Sequence, residues 1–96
     1  MSVFDFKKIV FCGRVQGVGF RFTTNEIAAK YNLVGWVMNR SDGKVEMAVR
    51  GTVAEIDRIV DEIVNQSRLA KLIDCFELTS IEANEFDGYD GFVIRS

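Results

Sequence analysis

Between an apolar run and a helix-like pattern, residues 13–21 read G-R-V-Q-G-V-G-F-R, with three glycines and two arginines in nine positions. Few local structures tolerate that density of glycine. Glycine accepts positive φ and lets backbone approach a ligand closely, so Gly13, Gly17 and Gly19 predict a loop whose N–H groups turn inward as an anion cradle. Arg21 falls where the next helix begins, at the positive end of its dipole, where a cation is disfavoured unless an anion lies between. Taken alone, an arginine near a helix start is ordinary solvated surface chemistry. Beside the glycines, its planar fork matches phosphate oxygens, and the amides from about Val15 to Phe20 are placed to hold the rest.

The patterns around this loop predict the architecture. Phe6–Cys12 is rich in strand formers and reads as a central first strand. Thr23 and Glu26 form a T-x-x-E capping box with Phe22 and Ile27 as its hydrophobic staple; the helix runs to about Tyr31 and buries Ile27, Ala28 and Tyr31. Leu33–Met38 and Lys44–Arg50 read as strands joined by the hairpin loop Asn39-Arg40-Ser41-Asp42-Gly43. In the second of them Val45, Met47 and Val49 form a core face, and Glu46, Ala48 and Arg50 a largely polar one. Thr52 and Glu55 form another capping box, after which Val53, Ile56, Ile59, Val60, Ile63 and Val64 trace an amphipathic helix. Leu72–Ala83 reads as a fourth strand with a phase slip near Ser80, Asp87–Gly91 as a turn, and Phe92–Arg95 as a short final strand. The order predicts an α+β sandwich of the ferredoxin-like type, βαββαβ with a short extra C-terminal strand, in which an antiparallel sheet carries both helices on one face. A single domain over residues 1–96 is expected.

Composition removes several function classes. The chain has no histidine, so imidazole is unavailable as base, nucleophile or ligand. A net charge of −2 gives no global pull toward nucleic acid or anionic membrane, so any anion site must be local. No leader-like segment opens the chain and no apolar run approaches the ~18 residues that span a bilayer, so a cytoplasmic monomer without nucleic-acid or membrane partners is expected. Cys12 and Cys75 approach each other if the first and fourth strands pair, but a cytosolic setting predicts two reduced, mostly buried thiols. The glycine run lacks the Lys-Ser/Thr of a Walker loop, and no dinucleotide fingerprint occurs. Glu82, Glu85, Asp87 and Asp90 lack calcium-loop spacing and read as a solvated turn, so neither metal nor cofactor is expected.

The run at 13–21, followed by G-W-V-M-N-R-S-D-G-K-V-E at Gly35–Glu46, resembles the acylphosphatase family, small enzymes that hydrolyse carboxyl–phosphate anhydrides. The blocks stand in the order and at the separation that family uses, and the implied fold covers nearly the whole chain and would start the first helix slightly earlier, near Phe20. The resemblance implies a small acyl phosphate as substrate, with Val15, Gln16, Gly17, Val18, Gly19, Phe20 and Arg21 around the phosphoryl group and Arg21 and Asn39 as the catalytic pair. Local chemistry alone leaves Asn39 a turn-forming residue. By similarity its carboxamide, which both donates and accepts, holds the attacking water. Such a reaction suits a chain without histidine, because the expelled carboxylate has a conjugate acid of pKa roughly 4 and leaves without a general acid.

The connector at Asn65–Lys71 departs from the family, which usually carries a glycine and then a proline where this chain has Gln66 and Arg68. Asn65 or Gln66 in the left-handed region is expected to stop the helix instead. Two other readings compete. A non-catalytic anion-binding module would keep the cradle without turnover, against which Asn39 is retained beside Arg21. An RNA-binding domain shares the βαββαβ order, but the third strand, K-V-E-M-A-V-R, lacks the stacking aromatics of that class. A similar unit fronts larger carbamoyl-transfer maturation proteins; a free-standing enzyme is the expectation.

Overall fold

The computed structural model describes residues 3–95. Strands β1 (Asp5–Gly13), β2 (Val34–Asn39), β3 (Val45–Gly51), β4 (Ile73–Ser80) and β5 (Phe92–Arg95) form one sheet in the order β4-β1-β3-β2-β5, with helices α1 (Phe20–Ala28) and α2 (Val53–Asp61) between them in sequence. β1 pairs antiparallel with β3 and β4, and β2 antiparallel with β3. The ferredoxin-like βαββαβ order is therefore present. The sheet is mixed and not wholly antiparallel, because β5 runs parallel to β2 with Val37 level with Ile94. The chain reaches that edge after the 3₁₀ turn Ala83–Phe86, and Gly35 N–H donates to the Gly91 carbonyl at 3.1 Å.

Both helices cover one face of the sheet. Ile9 and Phe11 of β1, Val37 of β2 and Val45, Met47 and Val49 of β3 form a buried cluster with Phe20 and Ile27 of α1 and Ile56, Ile59 and Ile63 of α2 or just beyond it. This is the alternation expected of β3, with one correction on its other face. Ala48 is buried there with Val34, Trp36 and Phe86, because the 3₁₀ turn folds over that part of the sheet.

The helix termini differ from expectation in instructive ways. α1 starts at Phe20, where the family resemblance puts it and ahead of the Thr23 box, and its N-cap is Gly19 at φ 77° with no side-chain cap. Thr23 N–H donates to the Gly19 carbonyl at 3.0 Å as the first helical bond, so the Thr23–Glu26 box does not form and Phe22, 62% exposed, staples nothing. The helix also ends before Tyr31, whose hydroxyl donates to Glu62 at 2.8 Å. α2 begins as predicted. Glu55 N–H donates to Thr52 Oγ1 at 3.2 Å, and the Glu55 carboxylate accepts from Thr52 N–H at 3.0 Å.

At its far end α2 passes into a π-helical turn, Glu62–Gln66, closed by Ser67 N–H donating to the Glu62 carbonyl at 2.8 Å. Ser67 Oγ donates to the Ile63 carbonyl and accepts from Leu69 N–H. No described non-glycine residue has positive φ, so neither Asn65 nor Gln66 is left-handed; the serine hydroxyl and the widened turn satisfy the terminal carbonyls instead.

The cysteines require a further correction. Antiparallel β1–β4 pairing sets Cys12 opposite Cys75 with Cα atoms 5.2 Å apart, and the two form a disulfide, not a pair of reduced thiols. That separation lies in the range a disulfide bridges without backbone movement. Cys75 is also exposed, at the edge of the sheet. Among the described residues no helix is long and apolar enough to cross a membrane.

Candidate active site

The glycine loop leaves β1 at a bulge beside Cys12 and Gly13. Arg14 N–H donates to the Leu72 carbonyl at 3.0 Å, and Gly13 takes φ 125° where a Cβ would collide with that same carbonyl oxygen. Beyond this anchor the backbone changes character. From Val15 through Phe22 no N–H group finds an acceptor among the described residues; the next bonded amide is that of Thr23. For Phe20, Arg21 and Phe22 this follows from position, since the first turn of a helix has no intrahelical acceptors. Such donors are satisfied by a side-chain cap, by water or by a ligand, and α1 has neither a cap nor an acidic residue in its first turn.

Six residues of this run, Val15, Gly17, Gly19, Phe20, Arg21 and Phe22, line a cleft of about 230 Å³ together with Asn39 and Ile94. Arg21 comes from the first turn of α1 and Asn39 from the last residue of β2, where it pairs with Val45. Neither side chain makes a hydrogen bond or ion pair with another described residue. Of the residues predicted around the phosphoryl group, Gln16 and Val18 do not line the cleft. Val18 packs on the core, while Gln16 Nε2 donates to the carbonyls of Arg40 at 2.7 Å and Lys44 at 2.9 Å. Gln16 thereby ties the glycine loop to the hairpin that carries Asn39, fixing one half of the cleft against the other.

The hairpin consumes its own charge. Arg40 pairs with Asp42 at 3.0 Å and lies 3.9 Å from Glu46, and Lys44 N–H donates to Asp42 Oδ1 at 3.1 Å. The Lys44 amide first, and Arg40 beside it, hold the Asp42 carboxyl below the usual carboxylate range. Arg40 is thus committed within its turn, whereas Arg21 faces the cleft without a carboxylate partner among the described residues. The arrangement suits a small, multiply charged oxyanion, with backbone donors and one guanidinium converging on it.

The acylphosphatase family model matches residues 7–94. The chain belongs to the acylphosphatase family. An acylphosphatase from Bacillus subtilis is 37% identical over 87 residues, covering 91% of this chain and 92% of the relative. One from Staphylococcus aureus is 40% identical over 73 residues, 76% of this chain and 81% of its own. The crystal structure of the B. subtilis acylphosphatase superposes with a TM-score of 0.83 at 32% identity, over 98% of this chain and 100% of that one. A phosphate- and nucleotide-bound full-length HypF structure matches the whole of this chain with a TM-score of 0.86 and 32% identity, but the match takes up only 12% of that longer protein.

Phe22, read from sequence as a staple, and Ile94 line the cleft without having been predicted there. Ile94 arrives there through the parallel β2–β5 pairing, which no local pattern encodes. Phe22 follows Arg21 directly, and its exposure is legible only once the helix is known to start at Phe20. The latch made by Gln16 was likewise invisible, since its acceptors lie 24 and 28 positions away.

Proposed function

We propose that this chain hydrolyses the carboxyl–phosphate bond of small acyl phosphates, releasing a carboxylate and inorganic phosphate. One observation carries the reading: the cleft that holds Arg21 and Asn39 is also lined by Val15, Gly17, Gly19, Phe20 and Phe22, whose N–H groups find no acceptor among the described residues. In this reading the loop amides and the Arg21 guanidinium bind the phosphoryl oxygens, where charge changes most between ground and transition states. Asn39 accepts a hydrogen bond from a water placed in line with the scissile P–O bond. The water oxygen bonds to phosphorus as the bond to the acyl oxygen breaks, and the departing carboxylate takes that bonding pair. The water's proton passes to a phosphoryl oxygen, so no protein group need change protonation state.

Leaving-group chemistry limits the reaction class. A carboxylate of pKa roughly 4 leaves unassisted, whereas an alkoxide from a phosphomonoester needs a proton that no histidine here can supply. Turnover of a simple alkyl phosphate at a rate comparable to an acyl phosphate would count against the proposal.

The direct test follows hydrolysis of a small aromatic acyl phosphate by absorbance for the parent, Arg21→Ala and Asn39→Ala. Loss of a preorganised transition-state contact costs on the order of 10²–10³ in rate, so both variants should be nearly inactive while folded. A parent that binds phosphate and turns nothing over would make the cleft an anion-binding site without catalysis.

A further inference from the structure

Arg68 follows the exit turn of α2 and reaches the glycine loop. Its Nη2 donates to the Val18 carbonyl at 2.9 Å and to Thr23 Oγ1 at 2.9 Å, with a longer contact to the Gly19 carbonyl at 3.4 Å. Arg68 does not line the cleft, so it acts on the loop from another side. No described carboxylate pairs with it.

Peptide geometry converts that contact into a statement about the cleft. In a trans peptide the C=O and N–H point in opposite directions. Holding the carbonyls of Val18 and Gly19 therefore fixes the N–H groups of Gly19 and Phe20 on the far side from Arg68, and both of those residues line the cleft. The loop needs such a restraint, because Gly17 and Gly19, at φ 75° and 77°, have wide conformational freedom to lose. The guanidinium also crowds position 19, where an added Cβ would lie 2.7 Å from Nη2. A full positive charge on the carbonyl ends further polarises the two peptide groups, strengthening their N–H ends as donors.

We infer that Arg68 is a positioning residue, which clamps the Val18–Gly19 and Gly19–Phe20 peptide groups so that their N–H groups face the phosphoryl site. The inference rests on the acyl-phosphate reading above, because the clamp serves the anion assigned to the cleft. Arg68 supplies charge and geometry through the backbone and touches no substrate. A lysine at this position keeps the charge but loses the planar fork that spans several acceptors.

The test titrates the parent, Arg68→Ala and Arg68→Lys with inorganic phosphate, following the amide resonances of Gly17, Gly19 and Phe20, with thermal unfolding measured on the phosphate-free proteins. The expected result for Arg68→Ala is a phosphate affinity lower by about tenfold, the scale of one charge-assisted hydrogen bond. Arg68→Lys should fall between, and millimolar guanidinium should restore part of the loss in Arg68→Ala alone. A lowered melting temperature with phosphate affinity unchanged would overturn the clamp and leave Arg68 a structural tie. A parent that binds phosphate but hydrolyses no acyl phosphate would overturn the proposed activity, while the affinities still decide the clamp. A parent that binds no phosphate would overturn both.

Discussion

The two helices of this protein begin in opposite ways. α2 closes its own N-terminus: Thr52 and Glu55 exchange side-chain and backbone hydrogen bonds, and Glu55 places a negative charge at the positive end of the dipole. α1 leaves its N-terminus open, with Gly19 as a left-handed cap that offers no side chain, no acid in the first turn and Arg21 where electrostatics would prefer a carboxylate. Both helices contribute to the same core, so the contrast is not one of folding need. A terminus completed by its own side chains is finished when the chain folds. Under the proposed function, one left with orphan donors and a misplaced cation is finished by an anion from outside.

Exchanging the tests between the two termini should separate these roles most sharply. Arg21→Ala is expected to lower kcat/KM for an acyl phosphate by about 10²–10³, some 2.7–4 kcal/mol of activation free energy, with little change in the urea midpoint. Thr52→Ala should do the reverse, costing ~1 kcal/mol of unfolding free energy with activity unchanged. An Arg21→Ala variant that unfolds as readily as it loses activity would erase the distinction.

The disulfide offers the next largest effect. Cys12 directly precedes the loop and its link to Cys75 closes 63 residues of chain, so reduction should lower stability by about 2–4 kcal/mol, or roughly 10–20 °C in melting temperature. The Gln16 latch is made by hydrogen bonds that do not involve either cysteine, and below its melting point the reduced protein should retain its activity. Mass measurement with and without thiol alkylation establishes the starting oxidation state. Inorganic phosphate provides a comparison of similar size: at about 100 times its dissociation constant it should stabilise the parent by about 2.7 kcal/mol, Thr52→Ala equally, and Arg21→Ala far less.

Acid should act on the closed terminus and not on the open one. The Thr52 amide, above all, holds the Glu55 carboxyl below the usual carboxylate range. Lys30 and then Tyr31 do the same for Glu62, which links the end of α1 to the exit of α2. A depressed carboxyl pKa contributes stability that is present above the unfolded value and lost as pH falls through the folded one. Urea unfolding from pH 7 down to pH 2 should therefore show a shallower decline for Glu55→Gln and Glu62→Gln than for the parent. Both carboxylates are only half-buried and are screened by solvent, which makes the effect the smallest of the set.

How far the sequence foretold all this depended on the range of the interaction. The alternation of Val45, Met47 and Val49, the Thr52–Glu55 box and the glycine loop were legible because each is decided by neighbours a few residues apart. The same local logic misled at Thr23 and Glu26, a well-formed capping pattern that lost to Gly19, whose positive φ let the helix start earlier on the buried Phe20. It misled again at the cysteines, where composition argued for thiols and strand pairing brought the two into bonding distance. By itself, the sequence determined the order of elements, the family and most of the loop residues that line the cleft. The partners of those residues came only with tertiary structure: Ile94 beside the cleft, Gln16 on the hairpin carbonyls and Arg68 on the loop. Each depends on where a distant segment is set down by sheet order and helix packing, and no local pattern carries that information.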